Sequence, residues 1–253
     1  MVRMNHTIIW GHRGAGFRDV ENCMSSFKKA VDMGVDGIKT ETQLTRDGEV
    51  ILKFLPYLVI KDQKSFIQNL NLDTIKKVKL KNGEAIPTLR EIFETFHDKI
   101  RYNFDIFKVE TGLKIIEIAK EYDVTDKVEI TKPVAHTKSA ASLFKPLRKK
   151  SRNITFVCSL FSDRQISENS YHLLNQMKKL KVQVINLNHH RFNLEVFNRV
   201  KKEGFKFYLW GVLFKYFMKK YLILGHKGHE IDGIFTNYPD KLVEVRSVVQ
   251  FKG

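Results

Sequence analysis

Cysteine is nearly missing from this chain: Cys23 and Cys158 are the two in 253 residues. They are far apart, which excludes a metal-type cysteine spacing and predicts free thiols rather than a disulfide framework. Free thiols point to a reducing, cytoplasmic setting. Proline is scarce as well, at five residues, and no low-complexity segment or linker interrupts the chain. No uncharged apolar run approaches the roughly 18 residues of a membrane-spanning helix. Met1 to Trp10 lack the apolar stretch of a secretory leader. Acidic residues are few beside basic ones, 28 against 44, for a formal net charge of +16. That excess favours anionic partners: a phosphate-containing small molecule, an acidic membrane surface or nucleic acid. An ordinary solvated basic surface would produce the same count.

Short β-branched runs alternate with helical patterns along the chain, and 43% of residues are hydrophobic. Strands are expected at 7–11, 36–42, 101–106, 127–131, 154–158, 183–187, 206–210 and 232–236. Between them, Leu89, Ile92, Phe93 and Phe96 share one helical face by their spacing, as do Ile115, Ile118, Ala119 and Tyr122, and Phe214, Phe217, Met218 and Tyr221. Alternation of this kind predicts parallel strands joined by crossover helices. Eight such units in this length predict an α/β fold, a TIM (β/α)8 barrel, with 1–253 as a single domain. Residues 49–54 break the pattern. Thr45-Arg46-Asp47-Gly48 is too short for a parallel crossover, and Asp-Gly is a hairpin signal. An extra antiparallel strand after the second strand is expected, with Phe54 opposite Lys39.

Barrel sites sit at the C-terminal ends of the strands. Gly11-His12-Arg13-Gly14 ends the first strand, and Glu21-Asn22 opens the following helix. Together they gather four polar side chains able to hold a phosphodiester. Lys39 and Glu41 are two apart on the second strand and share a face; so do Asn103 and Asp105 on the third. Lys108 follows just beyond, and Trp210 closes the seventh strand.

These motifs carry a resemblance. Gly11-His12-Arg13-Gly14, Glu21-Asn22, Asp36-Gly37-Ile38, Gln43-Leu44-Thr45-Arg46-Asp47-Gly48, Ile86-Pro87-Thr88-Leu89, Asn103-Phe104-Asp105-Ile106 and Asp232-Gly233-Ile234-Phe235-Thr236-Asn237-Tyr238-Pro239 occur in the order found in glycerophosphodiester phosphodiesterases. The chain resembles a divergent member of that family with a degraded metal and catalytic site. The resemblance implies a TIM barrel that hydrolyses phosphoric diesters in lipid metabolism, with two histidines as acid and base and a divalent cation held by three carboxylates. It assigns His12 as the first histidine and Arg13 as the phosphate-binding arginine. Glu41 and Asp105 fall on two metal positions, each changed by one methylene. The third metal position is Lys39, and the second histidine and its following aspartate are Phe54 and Leu55.

An ammonium repels a hard cation, and a phenyl ring carries no proton. Loss of a general acid or base costs about 10²–10⁴-fold. Impaired or altered, metal-independent catalysis is therefore expected. The Lys39 ammonium would replace the cation and bind Glu41 and Asp105. His12 would be the remaining acid/base and Arg13 and Lys39 the phosphate clamps, with Glu21, Asn22, Lys108 and Trp210 also binding substrate. No cofactor is expected, or Mg or Ca at Glu41 and Asp105 if the family's metal site survives. The alternative function is a non-catalytic phosphodiester-binding barrel, or a basic barrel that binds membrane or nucleic acid.

Three features stand apart. His189-His190 follows a strand and reads as a surface loop. Lys145-Pro146-Leu147-Arg148-Lys149-Lys150-Ser151-Arg152 is a compact positive cluster. The 214–222 helix pairs an apolar face with Lys215, Lys219 and Lys220, a pattern shared by helices on anionic membranes and by ordinary outer barrel helices. Nucleic acid is the less favoured partner.

Overall fold

A computed structural model of the chain describes residues 7–134, 137–161, 164–167, 170–224 and 229–250. The leader expectation rests partly on residues 1–6, which lie outside them. The strands, in chain order, are β1 (Ile8–His12), β2 (Gly37–Leu44), β3 (Val50–Leu52), β4 (Tyr57–Ile60), β5 (Gln63–Phe66), β6 (Arg101–Asp105), β7 (Val128–Val134), β8 (Thr155–Leu160), β9 (Val184–Asn188), β10 (Lys206–Trp210) and β11 (Gly233–Thr236). β1 pairs in parallel with both β2 and β11, and β2, β6, β7, β8, β9, β10 and β11 pair in parallel in that sequence. The eight parallel strands therefore close into the expected TIM barrel.

Closure demands room along the axis. Trp10, Tyr208 and Phe235 fill the interior with Val157 and Val184. A Cβ at Gly37 would stand 2.6 Å from the Trp10 ring and 2.7 Å from the Arg101 carbonyl, and one at Gly233 would stand 2.8 Å from the Tyr208 ring. Glycine at these two points admits the large rings. The aspartates just before them have matching tasks. Asp36 accepts from the backbone N–H of Ile9 at 2.7 Å and Asp232 from that of Phe207 at 2.7 Å. Each Asp-Gly pair thus starts a strand and ties it to its neighbour.

Outside the barrel, the helix Leu89–Phe96 is opened by a capping box between Thr88 and Glu91, which satisfies two orphan N–H groups. Its face of Leu89, Ile92, Phe93 and Phe96 is buried, each side chain contributing about 1.5–3 kcal/mol against exposure. Ile115, Ile118 and Ala119 are buried in the same way on the helix Val109–Glu121. Both cysteines are free and buried, and burial pushes the Cys158 thiol up to about 12. Among the described residues no helix is long and apolar enough to cross a membrane.

Three expectations are corrected, and one further segment gains structure. β3 does fold back on β2, with Thr42 facing Leu52 and Leu44 facing Val50. This register, continued, sets Phe54 opposite Thr40 rather than Lys39. The shift arises because the turn is centred on Asp47, whose carboxylate accepts from the Thr45 hydroxyl at 2.6 Å, with Gly48 at φ 84°. The stretch after Pro56, to which the sequence pattern assigns no element, carries β4 and β5 as an antiparallel hairpin over a small core of Ile51, Leu58, Ile67, Ile75 and Ile86. Then His189 is buried, its ring 5.0 Å from that of Phe217 and 6.1 Å from that of Tyr221. Burial, with His190 beside it, lowers its pKa to about 4. Finally, the helix Lys215–Leu222 buries Met218, Tyr221 and Leu222 in the main core; that face is not free to lie on a membrane, although Phe214 is exposed. The positive cluster is partly structural too, since Arg148 donates to the carbonyls of Arg152, Ile154 and Lys181.

Candidate active site

Parallel register sets the levels of the mouth. His12 pairs with Lys39, Lys39 with Asn103 and Glu41 with Asp105. Residues alternate across a strand, so Lys39 and Glu41 lie on one face at successive levels. A cavity of about 320 Å³ opens there, bordered by His12, Lys39, Asp105, Asn186, Trp210 and Asn237 among others.

The loop after β1 turns sharply. Arg13 adopts φ 57°, a region that a non-glycine residue enters at a cost and that clusters at functional sites. Its N–H donates to the Lys39 carbonyl at 2.6 Å, and its guanidinium is directed at two carboxylates. Nε donates to Glu41 Oε1 at 3.0 Å and Oε2 at 3.1 Å, Nη2 to Glu41 Oε1 at 2.8 Å, and Nη1 to Glu21 Oε2 at 2.8 Å. The Phe54 ring covers the guanidinium, 4.3 Å from Cζ. Asn22 donates to Glu41 Oε2 at 3.4 Å and accepts from the Thr40 hydroxyl at 2.6 Å. Burial alone would raise the Glu41 carboxyl; His12 and Arg13 outweigh it and hold the group well below the usual carboxylate range.

Lys39 is held differently from the expectation. Its Nζ lies 2.5 Å from Asp105 Oδ1 and donates to Asn103 Oδ1 at 3.4 Å; Glu41 belongs to Arg13 instead. The Arg13 fork meets a carboxylate with several donors in a plane, whereas the Lys39 ammonium is a point charge. Asn103 also donates to Glu129 at 2.9 Å. Glu129 is fully buried, accepts from the Tyr208 hydroxyl at 3.0 Å, and has its pKa raised by burial.

His12 Nδ1 lies 3.1 Å from Asn237 Oδ1. An amide oxygen only accepts, so Nδ1 carries the hydrogen. The amide is oriented in turn by Glu21, which accepts from Asn237 Nδ2 at 3.4 Å. In the protonated ring Nε2–H faces Glu41 Oε1 at 3.6 Å and supports the ionised carboxylate; in the neutral ring the same atom carries the lone pair. The Asn237 contact therefore selects the tautomer of the neutral ring, with Nε2 as its basic atom.

The residues present do not fit a divalent cation. Among the described residues no group of three or more His, Cys, Asp or Glu side chains could hold one. Glu41 is paired with Arg13 and Asp105 with Lys39.

Of the residues singled out from the sequence, His12, Lys39, Asp105 and Trp210 border the cavity. Arg13, Glu21, Asn22 and Glu41 form one hydrogen-bonded cluster beside it. Lys108 stands apart: it contacts Gln68 in a separate groove of about 670 Å³. Sequence reasoning missed Asn237 as a site residue, although it lies in a quoted motif.

The sequence profile of the Glycerophosphoryl diester phosphodiesterase family matches residues 12–241. A glycerophosphodiester phosphodiesterase of Caldanaerobacter subterraneus subsp. tengcongensis is 27% identical over 265 aligned positions, covering 94% of this chain and 97% of the relative. The fold is shared with a glycerophosphodiester phosphodiesterase of Thermotoga maritima, with a TM-score of 0.75, 21% identity and coverage of 96% of this chain and 100% of that one. It is shared also with an Oleispira antarctica phosphodiesterase solved with the product sn-glycerol-3-phosphate, with a TM-score of 0.75, 17% identity and coverage of 94% and 96%.

Proposed function

The chain belongs to the glycerophosphoryl diester phosphodiesterase family, and we propose that it hydrolyses a glycerophosphodiester in the barrel mouth without a divalent cation. The observation that carries this reading is the contact of His12 Nδ1 with Asn237 Oδ1 at 3.1 Å, in the same cavity as the Lys39 ammonium. His12 Nε2 takes a proton from the attacking water as its oxygen bonds to phosphorus. The bond to the leaving alkoxide breaks, and the alkoxide takes a proton from solvent. Lys39 neutralises a phosphate oxygen, and Trp210 packs against the bound ester. Arg13, Glu21, Asn22 and Glu41 hold the loop that presents His12. Glu41 and Asp105 orient the two cations rather than ligate a metal.

A second reading, binding without turnover, is favoured by Phe54, which covers Arg13 and supplies no proton. Release of glycerol phosphate from glycerophosphocholine, measured in EDTA and again with Ca²⁺ or Mg²⁺, decides between them. Turnover that survives EDTA and falls about 10²–10⁴-fold in His12→Ala supports the metal-free reaction. Turnover only with added cation overturns it, and calorimetric binding with no turnover establishes the second reading.

A further inference from the structure

A groove of about 420 Å³ lies at the end of the barrel opposite the mouth. One wall is the C-terminal end of the helix Thr137–Lys150 with the loop before β8, and the other is the end of the helix Ser170–Lys179 with the loop before β9. Both loops lead into strand N-termini, whereas the mouth sits at the C-terminal ends. Six cations line the groove: Lys145, Arg148, Lys149, Arg152, Lys179 and Lys181. Leu180 is the remaining lining residue, and no carboxylate stands with them. Among the described residues none of the six is ion-paired with an acidic side chain, although the adjacent Lys178 pairs with Glu203 at 2.5 Å. Apart from Arg148, all six are exposed.

Helix capping explains only part of this set. Cations in a last helical turn complement the helix dipole, and Lys149 and Lys179 hold such places. Lys145 lies before the last turn, and Arg152 and Lys181 lie beyond the helix ends, so the dipole does not account for them. Arg148 builds the groove. Its guanidinium lies over the Phe156 ring at 4.0 Å and donates to the carbonyls of Arg152 at 2.9 Å, Ile154 at 3.1 Å and Lys181 at 2.8 Å. These bonds fasten the two loops together and occupy carbonyl oxygens that would repel an anion. A cleft lined by one sign of charge concentrates counter-ions.

We propose that this groove binds a compact polyanion bearing several phosphates, such as a short inorganic polyphosphate. Shape and lining select this occupant. Cations stand on both walls, which suits a ligand seated between them rather than a flat bilayer surface. No aromatic ring lines the groove, so a nucleobase finds no stacking platform. Lysine and arginine are the side chains that bind phosphate oxygens. The volume lies within the roughly 300–1,000 Å³ usual for a ligand site.

Calorimetry with inorganic tripolyphosphate and the full chain is expected to show binding that weakens as salt rises. Lys149→Glu and Lys181→Glu, one on each wall, should each weaken it about tenfold. Lys28→Glu, at an exposed position of the helix Met24–Asp32 outside the groove, makes the same change in net charge and should leave the affinity at the parental value. Melting temperatures matching the parent show that the variants are folded. ATP should bind within about threefold of tripolyphosphate, because its base meets no ring. No binding at about 1 mM tripolyphosphate overturns the proposal. So does equal weakening by Lys28→Glu, which would mark diffuse attraction, and so do folded groove variants with parental affinity, which would place the anion at the mouth. Much tighter binding of ATP would replace the polyphosphate with a nucleotide. Sedimentation with anionic vesicles that is lost in the groove variants, without tripolyphosphate binding, would replace it with a membrane. Hydrolysis at the mouth is not read, so these outcomes do not depend on the proposed reaction.

Discussion

Asn237 presents its side-chain oxygen to Nδ1 of His12 at 3.1 Å, and this contact decides which face of the imidazole is basic. Asn237→Leu removes the acceptor and frees the ring to take the other tautomer. We expect a lower kcat with a smaller change in KM, and a smaller loss than in His12→Ala because the imidazole remains. The pH dependence of kcat measures it; a variant with the parental profile would show that the contact positions nothing.

Lys39→Glu restores an acidic side chain beside Asp105 and Glu41, the ligand chemistry that a hard cation requires. The expected result is calorimetric Ca²⁺ binding in the variant and none in the parent. Tight Ca²⁺ binding by the parent at the mouth would contradict the pairing of Lys39 with Asp105.

Lys39→Met leaves Asp105 without its cation. Both side chains are largely buried, at 7% and 16% exposure, and breaking a buried pair costs about 3–5 kcal/mol. Urea unfolding monitored by circular dichroism should show a loss in this range. A loss under about 1 kcal/mol would place the pair among weak surface contacts.

Glu41 gives stability a defined pH dependence. Its folded pKa lies below the ordinary 4.5, so its contribution is complete above that value and falls as acid protonates the folded carboxylate. The melting temperature of the parent should therefore drop from pH 5 downwards more steeply than that of Glu41→Gln. The variant should be less stable at pH 7, by roughly 3 kcal/mol for a broken buried pair. Parallel melting curves across this range would assign the acid sensitivity to other carboxylates.

Gly37→Ala puts a methyl group where the Trp10 ring and the Arg101 carbonyl already stand. Overpacking of this kind costs about 1–3 kcal/mol. Thermal unfolding checks it, and Gly83→Ala, where nothing lies within 4 Å but φ is +83°, serves as the control for backbone strain alone.

The barrel was legible from the chain because its signals are local. Leu89, Ile92, Phe93 and Phe96 declare a face by spacing alone, and all four are buried. The β4–β5 hairpin escaped because Lys61 and Asp62 take its two turn positions at φ 48° and 60°, where glycine or asparagine is the usual signal. His12, Arg13, Lys39 and Asp105 were identifiable as polar groups at strand ends. The choice of partners was not, because it depends on how the loop after β1 aims Arg13: Glu41 goes to Arg13 and not to Lys39. Asn237 is 225 positions from His12, and only closure of β11 onto β1 joins them.

Trp10, Tyr208 and Phe235 pack below the mouth: Trp10 stacks on Phe235 with ring centres 5.6 Å apart, and Tyr208 meets Phe235 edge-on at 5.7 Å. This aromatic floor closes the barrel axis beneath the cavity. A ligand seated above His12 therefore has no route through the barrel core and enters and leaves on the side of the strands' C-terminal ends.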